Sequence, residues 1–310
     1  MGLVDEILKM KRENKALILA HNYQLPEIQD IADYVGDSLE LSIKAMEHDA
    51  DKIIFCGVDF MAEQALVLAM NKVVLHPEPE AKCPMASMIT PEDVRKFRSN
   101  YPKAPVVIYV NSPAVVKAEA DYIVTSASAL KLVSQIDSDT ILFGPDRNLA
   151  DYLSKTTGKT VIPVPPNSYC PVHEAIKANN IIDAKTRDRE AKVLVHPECI
   201  REVRDLADFI GSTSQMIKYV RETNYKSYII ATEIGILHRM RKENPDKKLI
   251  PANPEAVCID MKKIDLNKLY RSLKEGKYVV EVPDKIRRRV LRVLENSFEI
   301  IGVEIPWRKK

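Results

Sequence analysis

The sequence predicts an α/β protein made of three repeated units, each a short parallel sheet covered by crossover helices. Two observations predict this class. Short apolar runs alternate with amphipathic stretches from end to end, the pattern that strands joined by helical crossovers leave in a chain. Cys83, Cys170 and Cys258 also lie 87 and 88 residues apart, and a fixed period marks a repeated folding unit. Pro79-Glu80-Ala81-Lys82-Cys83 recurs as Pro254-Glu255-Ala256-Val257-Cys258, while Cys170 stands in Asn167-Ser168-Tyr169-Cys170-Pro171. Boundaries then fall just after each cysteine. They give units over 1–88, 89–175 and 176–262, and a helical extension over 263–310 that packs back on the first unit.

In chain order, a helix over 4–13 precedes an apolar strand at 16–21. A long helix over 28–47, a strand at 52–56, a helix over 60–70 and a strand at 72–75 complete the first unit. Thr90-Pro91-Glu92-Asp93 opens the second as an N-cap, a proline at the first helical position and an acidic first turn, so a helix covers 91–99. Strands follow at 106–110, 122–124, 140–143 and 161–164, with a helix over 127–135. The third unit has strands at 192–196, 228–231 and 248–250 and helices over 197–207, 215–222 and 233–243. Beyond it, 264–274 and 284–301 read as helices. In the second of these, Arg287, Arg288, Arg289 and Arg292 form a wet face opposite Val290, Leu291, Val293 and Leu294.

At 310 residues the chain suits two or three compact units. A net charge of +2 gives no electrostatic footprint for nucleic acid. The start Gly2-Leu3-Val4-Asp5-Glu6 does not resemble a secretory signal, and no run reaches the ~20 apolar residues that span a bilayer. A cytoplasmic address is expected, with no membrane partner and with five reduced cysteines. The 29% of charged residues and nineteen prolines fit a heat-adapted chain.

Polar phrases follow the strands: His21-Asn22-Tyr23, Tyr109-Val110-Asn111-Ser112 and His196-Pro197-Glu198 after the first strand of each unit, Thr125-Ser126 and Thr232-Glu233 after later ones. Open α/β sheets bind ligands at these carboxyl ends. The three spaced cysteines lack the close pairs of structural zinc sites and the spacing of bacterial ferredoxins. Three distant thiolates suit a [4Fe–4S] cluster with one iron left open. Zinc held by the cysteines and a histidine such as His173 is the alternative. Cys56 and Cys199 read as small buried hydrophobes.

These residues resemble the quinolinate synthase (quinolinate synthetase A) family. The resemblance is carried by His21-Asn22-Tyr23, Asp33, Gly36-Asp37-Ser38, Tyr109-Val110-Asn111, Thr125-Ser126, His196-Pro197-Glu198-Cys199, Gly211-Ser212-Thr213-Ser214 and Thr232-Glu233-Ile234-Gly235. It runs from about residue 15 to 260. Val124 and Ser128 depart from the family's usual cysteine and asparagine. The resemblance implies three αβα three-layer domains about a pseudo-threefold axis, with one [4Fe–4S] cluster held by Cys83, Cys170 and Cys258 at their junction. It also implies condensation of iminoaspartate with dihydroxyacetone phosphate to quinolinate, with loss of phosphate and two waters, on the route to NAD. Iminoaspartate would come from an aspartate oxidase or dehydrogenase.

Within that expectation, Ser38 and Ser126 suit the phosphate. Tyr109, Asn111, His196, Ser212 and Thr213 suit the carboxylates as neutral donors. Glu198 and Tyr23 are the expected acid–base pair, with Glu198 poised near neutral pH by its dry setting and His21 and His196 polarising oxygens. His173 is expected beside the cluster. Ser126 alone reads as a helix cap, Asn111 as an asparagine turn and Pro197-Glu198 as a helix start. An iron–sulfur redox sensor with a macromolecular partner is the competing function. The near-neutral charge offers it no evident docking surface.

Overall fold

The computed structural model describes residues 2–69 and 71–308. Among them, twelve strands form three separate four-stranded parallel sheets. The first holds β1 (Ala16–His21), β2 (Tyr34–Gly36), β3 (Lys52–Cys56) and β4 (Val73–Leu75); the second holds β5 (Val106–Tyr109), β6 (Tyr122–Val124), β7 (Thr140–Gly144) and β8 (Thr160–Pro163). The third holds β9 (Lys192–Val195), β10 (Phe209–Ile210), β11 (Ser227–Ala231) and β12 (Lys248–Pro251). Spatial order is the same in each: β2-β1-β3-β4, β6-β5-β7-β8 and β10-β9-β11-β12.

The repetition extends to single side chains. Asp33, Asp121 and Asp208 each accept a backbone N–H from the residue fifteen earlier, Ile18, Val106 and Val193, all at 2.8 Å. Each carboxylate also pairs with a cation, Lys11, Arg98 or Lys192. The same clamp therefore ties the second strand to the first in every unit. One apolar cluster runs through all three units and includes Phe55, Phe143 and Tyr228. Burying side chains of this size contributes roughly 1.5–3 kcal/mol each, which joins the units into one body.

The strand expectations hold apart from β2 and β10, which are only three and two residues long. The helix predicted over 28–47 divides into Pro26–Ile31 and Ser38–Glu47 with β2 between them. Asp33 turns to clamp Ile18, and Asp37 begins a new helix by capping Leu39 and Glu40. The expected helix over 197–207 shrinks to Arg201–Arg204, because residues 196–198 loop into the interior. Helix Asp59–Leu68 replaces the one predicted over 60–70; Met70 lies outside the described residues. Helices Arg147–Thr157 and Ala178–Arg187 were not foreseen.

Helix Leu266–Glu275 packs on the amino-terminal helix Leu3–Glu13, while Asp284–Ile301 lies along β6, the helices beside it and helix Asp59–Leu68. There Ser297 Oγ accepts the Ile123 N–H at 2.8 Å and covers an otherwise open sheet edge. No helix among the described residues is long and apolar enough to cross a membrane.

Candidate active site

The carboxyl ends of all three sheets face one central cavity, which surrounds about 610 Å³ of space, part of it continuous with solvent. Each unit supplies equivalent positions. The first strands deliver His21, Tyr109 and His196. Two residues further on come Tyr23, Asn111 and Glu198. The turns after the second strands bring Ser38, Ser126 and Thr213, of which Ser38 and Thr213 open ten-residue helices. Cys83, Cys170 and Cys258 close the cavity floor from three loops.

A continuous chain of polar contacts crosses the units. The Tyr23 hydroxyl lies 2.5 Å from Thr232 Oγ1, which lies 2.8 Å from His173 Nε2. His173 Nδ1 is 2.8 Å from Glu198 Oε2, at ion-pair distance though out of line for a hydrogen bond. Tyr109 donates its hydroxyl to Glu198 Oε1 at 2.5 Å. The expected pair Tyr23 and Glu198 thus communicates through Thr232 and His173, and Tyr109 anchors the far end.

His21 and His196 share one local geometry. Each Nδ1 accepts the backbone N–H two residues on, from Tyr23 at 3.2 Å and Glu198 at 3.3 Å. That acceptor role puts the proton of the neutral ring on Nε2. Both rings stay neutral well below neutral pH. Burial drives each pKa down to about 3, aided by Lys262 near His21 and by His173 near His196, whose rings stack at 4.5 Å.

Glu198 departs from the expected poise near neutrality. Burial pushes its pKa up, but the adjoining His173 and His196 rings and the Tyr109 hydroxyl outweigh it and hold the carboxyl below its usual range. Tyr23 and Tyr109 are raised, first by burial and then by the Glu198 charge, so both remain protonated donors. Among the described residues lining the cavity there is no lysine or arginine. An anion bound here meets neutral donors and helix amino termini, each helix end contributing ~0.3–1 kcal/mol, and these must offset the carboxylates of Asp37, Glu198 and Glu233 in the same lining.

Ser212 is the one candidate whose side chain the fold keeps out of the cavity lining. It caps helix Thr213–Glu222 through the Gln215 N–H and donates to Asp37 Oδ2 at 2.9 Å. Sequence reasoning missed Asp37, Glu233, Val58, Phe60, Met61, Val172 and Met261 in the lining. The first two stand inside quoted motifs, whereas the apolar five carry no signal that separates them from core. Ser128 accepts the Thr125 N–H at 3.0 Å and closes the turn that presents Ser126. Cys56 and Cys199 sit fully buried away from the cavity, and burial pushes the Cys56 thiol up to about 12.

The donor set at the floor fits a thiophilic centre. Burial raises all three thiols, Cys258 to about 11; Cys83 is raised further by Cys258 and the Glu198 charge, and Cys170 by the Glu198 charge and Cys83. Backbone N–H groups three residues on, at Ala86, His173 and Met261, favour each thiolate against this burial, with Asp260 adding a second at Cys258. A cationic centre would relieve the charge that now disfavours these thiolates.

The arrangement defines a triplicated α/β enzyme with its reactive groups at the junction of the repeats. A family profile described as "Quinolinate synthetase A protein" matches residues 5–299. Quinolinate synthase of Pyrococcus horikoshii is 50% identical over 97% of this chain and 99% of its own length. The enzyme of that name from Thermotoga maritima is 46% identical over 97% and 100%, and that from Dehalococcoides mccartyi 50% over 96% and 97%. The chain belongs to the quinolinate synthetase A family, enzymes of NAD biosynthesis.

Proposed function

We propose that this chain condenses iminoaspartate with dihydroxyacetone phosphate, giving quinolinate, phosphate and two waters. The observation that carries the reading is the convergence of three evenly spaced cysteines and the Tyr23–Thr232–His173–Glu198–Tyr109 chain on one buried cavity of a family member. Cys83, Cys170 and Cys258 would hold the [4Fe–4S] cluster. When bound, it supplies an open iron that acts as a Lewis acid on a departing substrate oxygen. Cys170, His173 and Glu198 offer ligand atoms within 4.8 Å of one another and could hold a lone metal ion; the arrival of all three evenly spaced cysteines at the same cavity favours the cluster over zinc with His173 as fourth ligand.

Ser38, Ser126 and Thr213, at or near the starts of helices, receive the phosphate and carboxylates. Neutral Nε2–H groups of His21 and His196 hold substrate oxygens without a buried cation, while the Tyr109 hydroxyl holds Glu198. Glu198 takes the proton from the triose carbon. An entering phosphate or carboxylate adds negative charge and raises the proton affinity of Glu198 toward the working range. The proton then passes along His173 and Thr232 toward Tyr23, which returns it to a leaving hydroxyl. The enclosed site keeps water from the imine.

The test is anaerobic reconstitution with iron and sulfide, followed by assay of quinolinate and phosphate release. Absorption near 400 nm with four irons per chain and one phosphate per quinolinate is the expected result. Zinc binding without iron, or a cluster without quinolinate formation, would reject it.

A further inference from the structure

The loop carrying each cysteine is tied down in the same way three times. Backbone N–H groups of Asp59, Arg147 and Ile234 donate to the carbonyls of Ala81, Ser168 and Ala256, each two residues before its cysteine, at 2.9, 2.9 and 3.0 Å. The cysteine's own N–H then donates to a carboxylate just beyond the third strand of its unit. Cys83 N–H reaches Asp59 Oδ1 at 3.3 Å, Cys170 N–H reaches Asp146 Oδ2 at 3.2 Å, and Cys258 N–H reaches Glu233 Oε1 at 3.2 Å.

Each carboxylate is also fixed from the helix side. Asp146 Oδ1 accepts the Leu149 N–H at 2.6 Å and Glu233 Oε2 the Gly235 N–H at 2.7 Å, whereas Asp59 Oδ1 accepts the Phe60 N–H at 2.8 Å. Asp146 and Glu233 are fully buried. Carboxylates are rarely buried without a compensating role, because desolvation opposes them. Lys262 lies 3.0 Å from Glu233 and offsets the charge in the third unit.

We propose that Asp59, Asp146 and Glu233 are a threefold set of positioning residues that hold the three cysteine loops in ligating geometry. The inference rests on the cluster reading given above. By taking the cysteine N–H, each carboxylate fixes the backbone from which the sulfur projects. Hydrogen bonds to the sulfurs and nearby charge are the protein's means of setting a cluster's stability and potential.

The three positions differ in a way that makes the idea testable. Asp59 serves both N–H groups with one oxygen, so Asp59→Asn keeps the single acceptor that both use and loses the charge. Asp146 uses one oxygen for each, so Asp146→Asn must abandon one N–H. The full-length chain and the variants Asp59→Ala, Asp59→Asn and Asp146→Asn are reconstituted anaerobically. Cluster loss to a ferrous chelator, the electron paramagnetic resonance spectrum and the midpoint potential of the reduced cluster are then read, with thermal unfolding of each apo-chain.

Asp59→Ala is expected to lose its cluster about 10–100-fold faster than the parent. Asp59→Asn should restore retention to within about threefold, with a shifted potential from the lost charge, and Asp146→Asn should not be restored. Parent-like retention and spectra in Asp59→Ala overturn the proposal. So does loss in Asp59→Asn equal to that in Asp59→Ala and tracking a less stable apo-chain, the mark of a purely structural role. A parent chain that assembles no cluster rejects the function reading itself and this inference with it.

Discussion

Glu198→Gln separates proton transfer from architecture. Gln and Glu have the same shape, but the carboxylate now accepts the Tyr109 hydroxyl with one oxygen and faces His173 Nδ1 with the other. Glutamine keeps one acceptor for Tyr109 and turns an amide toward His173. The ring then answers as an acceptor by moving its proton to Nε2, where Thr232 Oγ1 receives it. The network therefore survives at a cost of about 1 kcal/mol, the scale of one hydrogen bond exchanged for another. The proposed base does not survive, and removing a positioned general base costs ~10²–10⁴-fold in rate. Anaerobic quinolinate formation by the reconstituted variant, beside its iron content and absorption spectrum, is the assay. Intact cluster with turnover at least 100-fold down is expected; turnover within about threefold of the parent would show that another group takes the proton.

Three further outcomes are expected. Cys83→Ala, Cys170→Ala and Cys258→Ala should each abolish the four-iron spectrum and activity, and full turnover by any one would remove that cysteine from the ligand set. Thr232→Val preserves shape but cuts the bridge between Tyr23 and His173; it should lower kcat by about 10-fold or more with the cluster unchanged, and an unaffected kcat refutes the proton route. Lys117 is fully buried beside Phe60, with Nζ bonded to Gln64 Oε1 at 3.1 Å, and burial lowers its pKa to about 8. Below that pH its buried charge opposes folding, and between about 8 and 10.5 the unfolded chain binds more protons, so stability rises with pH, by roughly 3 kcal/mol in all. Denaturant unfolding of the parent and Lys117→Met across that window should diverge accordingly, and parallel curves would refute the assignment.

The strands were legible because a buried parallel strand writes a dense apolar run, as at Ile53–Ile54–Phe55 or Val106–Val107–Ile108. β2 and β10 were not, since two or three residues are too few to show a period. The helix over 28–47 was misread because two consecutive amphipathic helices kept one apparent period across Asp37, although that residue carries a full capping box with Glu40. Helix Arg147–Thr157 had an aspartate cap and a closing Gly158, and attention to caps would have found it. At the site, the residue types were visible but their wiring was not. That Thr232 joins Tyr23 to His173 depends on contacts 209 and 59 residues apart. Local sequence carries no trace of such a contact, and the fall in the Glu198 pKa depends on His173 in the same way.

Repetition and divergence divide the work of this molecule. Positions that hold the chain are the same in all three units: the aspartates clamping the second strand, the carboxylates under the cysteine loops, the cysteines themselves. Positions facing the cavity are equivalent in backbone and different in chemistry. Two residues after His21, Tyr109 and His196 stand Tyr23, Asn111 and Glu198, a protonated donor, a neutral amide and an ionised acceptor. A symmetric frame can bind a symmetric cluster, but a proton must leave one place and arrive at another. The His-x-Tyr and His-x-Glu turns show how the frame permits this. The same imidazole-to-backbone bond fixes both loops, so the residue that follows is free to differ, a tyrosine in one unit and a glutamate in another, as the proposed acid and base require. Exchanging the pair, as Tyr23→Glu with Glu198→Tyr, should therefore leave the fold and iron content intact while eliminating turnover. Retained activity in that double variant would show that the direction of proton flow is not set by these two positions.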